Sequence, residues 1–333
     1  MGISGSDAAG ITIGEASERE ALKRIFPRLP ESDATLVGPG DDAAVLAAPD
    51  GRFVVTTDMM VHGPDFRLAW SGPVDLGWKA AATNLSDVAA MGAVPTALVV
   101  AIAAPPETPV AWLEGVADGF RLACTELAPG CGVVGGDLSV SQTLTIAVTA
   151  FGDLGGRRPV LRSGARPGDV VAVSGALGQA AAGLRVLFTE AVDAAGEPDA
   201  ARLAAVVAAH PDTVSAQLRP RPPIADGPLA ADAGATAMLD LSDGLALDAR
   251  RVAEASGVAI DLDPAALGPD PRTALTGGED HGLLATFPPG TALPGGFRPI
   301  GTVRDGRGLL VAGTPFDERG GWDPYLEWDG RRG

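Results

Sequence analysis

Residues 152–169 read Gly152-Asp153-Leu154-Gly155-Gly156-Arg157-Arg158-Pro159-Val160-Leu161-Arg162-Ser163-Gly164-Ala165-Arg166-Pro167-Gly168-Asp169, with five glycines, two prolines and four arginines in eighteen positions. Glycine and proline at that density break both helix and strand periodicity, so the run divides the chain into an N-terminal domain, 1–155, and a C-terminal domain, 156–333. The total of 333 residues suits two domains, each large enough to bury its own core. Upstream of the divide, Thr143 to Ala150 alternates Leu144, Ile146 and Val148 and reads as a strand. Further back, Arg52 to Thr57 and Thr96 to Ile102 also read as strands. Val74 to Met91, closed by Gly92, and Val110 to Leu127 read as helices. Asp75 and Lys79 are spaced i,i+4 and predict a surface pair on the first helix. Downstream, the pattern runs strand (Asp169 to Ser174), helix (Gln179 to Thr189), helix (Arg202 to Ala209), strand (Thr236 to Leu241), helix (Gly244 to Ser256) and strand (Gly282 to Phe287). Strand and helix alternate throughout, so the fold class is α/β or α+β.

Composition narrows the function. Twenty-five Lys plus Arg against 42 Asp plus Glu give a net charge of −17, which opposes binding of bare nucleic acid or an anionic membrane. Three histidines and two cysteines, Cys124 and Cys131, are too few and too scattered for a zinc site or a disulfide framework, and fit a reduced, cytoplasmic setting. Thr96 to Ala104, the longest apolar run, falls short of the roughly 20 residues that span a bilayer. Met1 to Ser6 formally matches a myristoylation pattern but lacks a polybasic second signal. Lys23 and Lys79 are the only lysines, and neither follows glycine, so a Walker A loop and the protein-kinase lysine are both excluded. No G-x-S-x-G elbow is present.

Acidic residues recur beside glycine and hydroxyl residues at six places: Gly40-Asp41-Asp42, Thr56-Thr57-Asp58, Asn84-Leu85-Ser86-Asp87, Gly135-Gly136-Asp137, Asp240-Leu241-Ser242-Asp243-Gly244 and Gly277-Gly278-Glu279-Asp280. Singly, GDD or SDG is ordinary turn or N-cap chemistry. Together, with flanks as apolar as VVTTD, VVGGD and MLDLSDG, they place carboxylates at the ends of buried strands, where unpaired charge is costly and a cation relieves it. Carboxylates and hydroxyls are the hard oxygen donors that Mg²⁺ takes. Arg157, Arg158, Arg162 and Arg166 read either as a phosphate-binding cluster or as a solvated linker. Gly175 to Gly178 lacks the full dinucleotide fingerprint and is assigned no role.

The order and wording of these motifs resemble the thiamine-monophosphate kinase family, in the superfamily that includes aminoimidazole ribonucleotide synthetase and selenophosphate synthetase. The resemblance covers GPGDDAAVL, VVTTDMMVHGPDF, DLGWKAAATNLSDVAAMGAVP, VVGGDLS, LRSGARPGD, LRPRPP, LDLSDGLALD, LTGGEDHGLL and GGWDPY. It implies an N-terminal domain that forms a homodimer through its sheet, a C-terminal α/β domain, and a nucleotide site between them. It implies several Mg²⁺ ions held by Asp42, Thr56, Thr57, Asp58, Asp87, Asp137, Asp240 and Asp243, with Asp41 beside them. Gly136, Asp137, Arg162 and Ser242 would meet ATP, Arg162 also serving catalysis. Asp65, Glu279 and the ring of Trp322 would meet thiamine monophosphate. The implied reaction is direct in-line transfer of the ATP γ-phosphoryl group to the substrate phosphate.

Four positions depart from the family's usual wording. Asp65 stands where His is common before Phe66, Leu138 follows GGD in place of Thr or Ser, and His281-Gly282 replaces Tyr-Glu after GGED. These bear on substrate contacts rather than on the acidic set. Selenophosphate synthetase and the hydrogenase-maturation relative are disfavoured, because the first cysteine is Cys124 and the chain ends Gly330-Arg331-Arg332-Gly333. The alternatives are an aminoimidazole ribonucleotide synthetase-like enzyme, a two-metal phosphatase, and a non-catalytic Mg-nucleotide-binding dimer.

Overall fold

A computed structural model describes residues 11, 12, 15, 18–38 and 44–322. The first part of the chain forms α1 (Glu18–Ile25), β1 (Thr35–Val37), β2 (Val45–Leu46), β3 (Val54–Val61), α2 (Pro73–Ala90), β4 (Val94–Ala104), α3 (Val110–Leu127), β5 (Gly132–Val140) and β6 (Thr145–Asp153). The second forms β7 (Val170–Ser174), α4 (Gln179–Glu190), α5 (Ala200–Ala209), α6 (Pro211–Leu218), α7 (Asp226–Asp232), β8 (Ala237–Leu241) and α8 (Leu245–Ser256). It continues with β9 (Ala259–Leu262), α9 (Pro271–Thr276), β10 (Gly282–Phe287), β11 (Arg298–Arg304), β12 (Gly308–Val311) and β13 (Thr314–Pro315).

The first main sheet has the order β3-β6-β4-β5, antiparallel except for the parallel β4/β5 pair. Period-two alternation turns Leu144, Ile146 and Val148 inward, where they join Leu98 and, from the helices, Leu76, Trp78, Leu85 and Phe120 in one core. The opposite face carries exposed Val55 and Met59. Helices α2 and α3 cross closely because glycines meet at the crossing. A Cβ on Gly77 would stand 2.0 Å from the Val116 carbonyl, and one on Gly119 2.3 Å from that of Val74. Strand β5 runs through Gly135 and Gly136, residues that ordinarily weaken a strand, because a Cβ at Gly136 would lie 1.9 Å from the Val100 carbonyl.

The second sheet has seven strands in the order β13-β12-β9-β11-β7-β10-β8. It is antiparallel except where β12 pairs with β9. Helix α2 joins the two halves. It is buried on nearly every side, Leu76 to Ser86 without a break, because it lies between the first sheet, α3 and the strand end of β8. Pro211 starts a further helix, α6, directly after α5. Among the described residues no helix is long and apolar enough to cross a membrane.

Candidate active site at the domain junction

Three residues of Asn84-Leu85-Ser86-Asp87, near the end of α2, each have a separate task. Asn84 Oδ1 accepts the Asp58 N–H at 3.1 Å and so fixes β3 against the helix. Ser86 Oγ donates to Asp240 Oδ2, in the second domain, at 3.0 Å. Asp87 Oδ2 accepts from Thr56 Oγ1 at 3.0 Å. His281 Nδ1 lies 3.3 Å from Asp240 Oδ2. Burial pushes the Asp87 carboxyl up to about 7, helped by repulsion from Asp240 and Asp58 and opposed by the Thr56 hydroxyl and His281. Asp58 is also raised, first by burial and then by Asp240 and Asp243, against a pull from His281. Burial lowers His281, but its contact with Asp240 and the charge of Glu279 outweigh this and leave it raised. Four carboxylates from distant parts of the chain thus repel one another at the junction of the domains. Asp243 also has a protein partner, Arg251, at 2.6 Å.

The GGED loop is strapped to DLSDG by Glu279 N–H to the Ser242 carbonyl, 2.7 Å, and His281 N–H to that of Leu241, 3.0 Å. Glu279 and His281 both adopt left-handed backbone, φ 67° and 52°, a costly conformation for residues with a Cβ. Asp280, between them, turns away and accepts the Gly178 and Ala180 N–H groups at 2.5 and 2.8 Å, capping α4. The amides around Gly178 therefore already hold a carboxylate. Trp322 N–H donates to the Asp243 carbonyl at 3.0 Å, which brings the last described residue beside the same loop.

The expected surface pair of Asp75 and Lys79 does not form. Lys79 is buried, its side chain 6% exposed, and its Nζ lies 2.9 Å from Glu279 Oε1, while Asp75 pairs with Arg219. Position decides this: Lys79 and Ser86 are seven residues apart, two helical turns, and share the stripe of α2 that faces the second domain. That spacing was the available signal for Lys79. Asp65 belongs to the same wall. Burial and the charge of Glu279 raise its carboxyl, while the Val61 N–H, Lys79 and Arg67 pull it down.

A family model for the AIR synthase related protein, N-terminal domain, matches residues 40–154. The thiamine-monophosphate kinase of Mycobacterium tuberculosis (strain CDC 1551 / Oshkosh) is 43% identical over 335 residues, covering 96% of this chain and 94% of that protein. The chain belongs to the thiamine-monophosphate kinase family. The enzyme of that name from Corynebacterium glutamicum is 42% identical, with 88% of each chain covered. The crystal structure of thiamine-monophosphate kinase from Stenotrophomonas maltophilia K279a superposes with a TM-score of 0.75 at 33% identity, over 89% of this chain and 97% of that one. The structure of AaThiL complexed with AMPPCP and TMP gives 0.70 at 31% identity, over 95% and 99%.

Within this thiamine-monophosphate kinase family member, the residues named by sequence do not all meet. Thr56, Asp58, Asp87, Asp240 and Asp243 gather as described, and Ser242 lies in the strap. Thr57 turns to the other face of β3, where its hydroxyl donates to the Val148 carbonyl at 3.0 Å and accepts from Thr149. Gly136 and Asp137 lie on the far edge of the sheet. The register Met59–Ala147–Ala101–Asp137 spans three strand spacings, about 14 Å. Arg162 is exposed, and its carbonyl accepts from Ser256 at the C-terminal end of α8. Asp243 precedes the other end of that 12-residue helix, roughly 18 Å away and beyond the reach of one side chain. Asp41 and Asp42 lie outside the described residues.

The donor set fits Mg²⁺: it is all oxygen, and burial and mutual repulsion disfavour its charged form, which a divalent cation would favour. Among the described residues no three carboxylate, imidazole or thiolate groups are grouped to enclose one ion. Mg²⁺ bound in phosphoryl-transfer sites commonly takes one or two carboxylates, with water and substrate phosphates completing the shell, and the spread arrangement suits that mode.

Proposed function

We propose that this chain transfers the γ-phosphoryl group of ATP directly to the phosphate of thiamine monophosphate, giving thiamine diphosphate and ADP. The convergence of Asp58, Asp87, Asp240 and Asp243 from both domains, in a member of this family, carries the reading. Thr56, Asp58, Asp87, Asp240 and Asp243, with Asp42, are the residues to hold Mg²⁺. Bound there, it supplies neutralising charge to the phosphate oxygens of both substrates. Asn84 and Ser86 hold the two domains' carboxylates in register. Ser242 lies on the ATP side, and Asp65, Glu279 and Trp322 form the wall for the acceptor. A phosphate monoester has a second pKa near ~6, so the acceptor is largely dianionic at neutral pH and needs no general base. The protein's work is positioning and electrostatics.

The working unit in this reading is a homodimer built on the open face of the first sheet. Strands β3 and β5 are its two edges. Pairing β3 with the β5 of a second copy closes an eight-stranded barrel and buries Val55 and Met59. It would also bring Asp137 of the partner subunit one strand spacing, about 5 Å, from β3. Gly136 and Asp137 then serve the neighbouring site, and Arg162 keeps its ATP role only toward a site outside its own chain.

A coupled ADP-release assay with ATP, Mg²⁺ and thiamine monophosphate, followed by chromatography of the thiamine products, tests the reaction. Thiamine diphosphate formed in step with ADP is expected. Inorganic phosphate without thiamine diphosphate, or nucleotide binding without acceptor-dependent ADP, would overturn it.

A further inference from the structure

The acceptor wall contains a clamp that the phosphoryl chemistry does not use. The Glu279 carboxylate is gripped twice: Lys79 Nζ lies 2.9 Å from Oε1, and Gln217 Nε2 donates to Oε2 at 2.5 Å. Lys79 comes from α2 in the first domain and Gln217 from α6 in the second. Both are about 5% exposed, whereas the Glu279 side chain keeps 30% of its surface open. A carboxylate only accepts hydrogen bonds, so the amide of Gln217 must turn Nε2 toward it. Its Oε1 is then left buried with no hydrogen-bond partner among the described residues. Burial favours the neutral acid at Glu279, but Lys79 and Gln217 outweigh it and hold the carboxyl below its usual range.

The grip is itself anchored. Trp78, next to Lys79, donates its indole N–H to the Pro220 carbonyl at 2.7 Å. The Arg221 guanidinium lies 5.0 Å over the Trp78 ring, and Arg219 pairs with Asp75, one turn before Lys79. The run from Gln217 to Arg221 is thereby fastened to the same helix that carries Lys79. Both halves of the clamp move with α2.

We propose that Lys79 and Gln217 are positioning residues for the acceptor substrate, holding Glu279 as an oriented hydrogen-bond acceptor for the amino-bearing pyrimidine ring of thiamine monophosphate. The proposal rests on the reading of the chain as a thiamine-monophosphate kinase. An ionised carboxylate offers about four lone-pair positions, and the clamp occupies two. The others remain for N–H donors on the open side, and the carboxyl of Asp65 adds negative charge to suit a cationic ring. The orphaned Gln217 Oε1 is the cost of turning Nε2 toward Glu279.

The test is steady-state kinetics of Lys79→Met and Gln217→Leu, with the double variant Lys79→Met/Glu279→Gln. For Lys79→Met, loss of the oriented acceptor raises KM for thiamine monophosphate about tenfold or more, while kcat and KM for ATP stay within about threefold. The double variant is expected to be no worse than Glu279→Gln alone, since Lys79 acts through Glu279. Gln217→Leu, which removes the orphaned oxygen, keeps its melting temperature and still raises KM for the acceptor, so the test survives if Lys79→Met folds poorly. Unchanged acceptor KM in both variants, kcat falling with both KM values altered alike, or multiplying effects in the double variant would overturn the clamp while leaving the activity intact. A wild-type protein that makes no thiamine diphosphate overturns the activity itself, and the clamp with it.

Discussion

Asp87→Asn separates the stability of the acidic junction from its chemistry. In the folded protein the Asp87 carboxyl titrates at about 7, against 3.8 for an unperturbed aspartate, mainly because it is buried and beside Asp240 and Asp58. The difference is roughly three units, or about 4 kcal/mol as an upper bound, since water at the cleft mouth screens part of it. The folded value lies above the unfolded one, so between about pH 4 and pH 7 the folded protein holds a proton that the unfolded chain has released. Stability therefore falls as pH rises through that window and stays low above it. Asparagine cannot ionise and escapes the loss. In chelator, wild type and Asp87→Asn should melt at similar temperatures near pH 4, with the variant higher at pH 8 by up to roughly 8 °C. Added Mg²⁺ should narrow the gap at pH 8, because binding to the native state stabilises wild type by mass action. Turnover of the variant should nevertheless fall by about two orders of magnitude or more. Scanning calorimetry from pH 4 to pH 8 checks this. A variant no more stable than wild type at pH 8 in chelator, or a gap that does not change with pH, would refute the reasoning.

Asp58→Asn and Asp137→Asn should each lower kcat by orders of magnitude without unfolding the protein, and near-normal turnover at saturating Mg²⁺ would remove them from the metal set. Dimers mixed from the two inactive variants should regain a fraction of wild-type activity by carrying one intact site; no recovery on subunit exchange would argue against a shared site. His281, whose folded pKa is raised by Asp240, adds stability below about pH 6.5 that is lost as pH climbs through the folded value, so His281→Gln should flatten that part of the melting curve in chelator. Asp280→Ala leaves the Gly178 and Ala180 N–H groups without their acceptor and should cost about 1–2 kcal/mol in denaturant melts; an unchanged midpoint would show that another group caps α4.

Much of this site was legible because its chemistry is local. NLSD, DLSDG and GGED each keep an acid within four or five residues of a hydroxyl, a glycine or both, and apolar flanks marked VVTTD and MLDLSDG as ends of buried strands. What the local pattern cannot carry is direction and distance. Thr57 sits between two residues that face the junction, and strand alternation alone turns it away. Asp137 has the same wording as its companions, but its separation from Asp58 is set by two intervening strands whose pairing depends on the whole sheet. Arg162 looked well placed beside the domain boundary, yet the length of α8 keeps it from Asp243. Lys79 was misread because an i,i+4 acid is weaker evidence than the stripe it shares with Ser86. β5 was obscured by its glycines, of which Gly136 answers to the close carbonyl of the neighbouring strand.

The acidic junction also explains why α2 is so thoroughly buried. Asp58 and Asp87 on one side, and Asp240 with Asp243 on the other, oppose domain closure while no cation screens them. Closure must then be held by something insensitive to charge. Helix α2 supplies it, through Ala90, which is buried with Ala230 and Met238 of the second half, and through the indole bond of Trp78 to Pro220. The charged contacts it adds, Lys79 with Glu279 and Asp75 with Arg219, lie toward its N-terminal half, more than a turn away from Asp87. The helix thus separates a paired region, on the proposed acceptor side, from a region of mutually repelling carboxylates, where phosphate and cation would bind. Moving a lysine to the Asp87 end would satisfy the carboxylates and stabilise the junction, at the expense of the charge imbalance that the reaction requires.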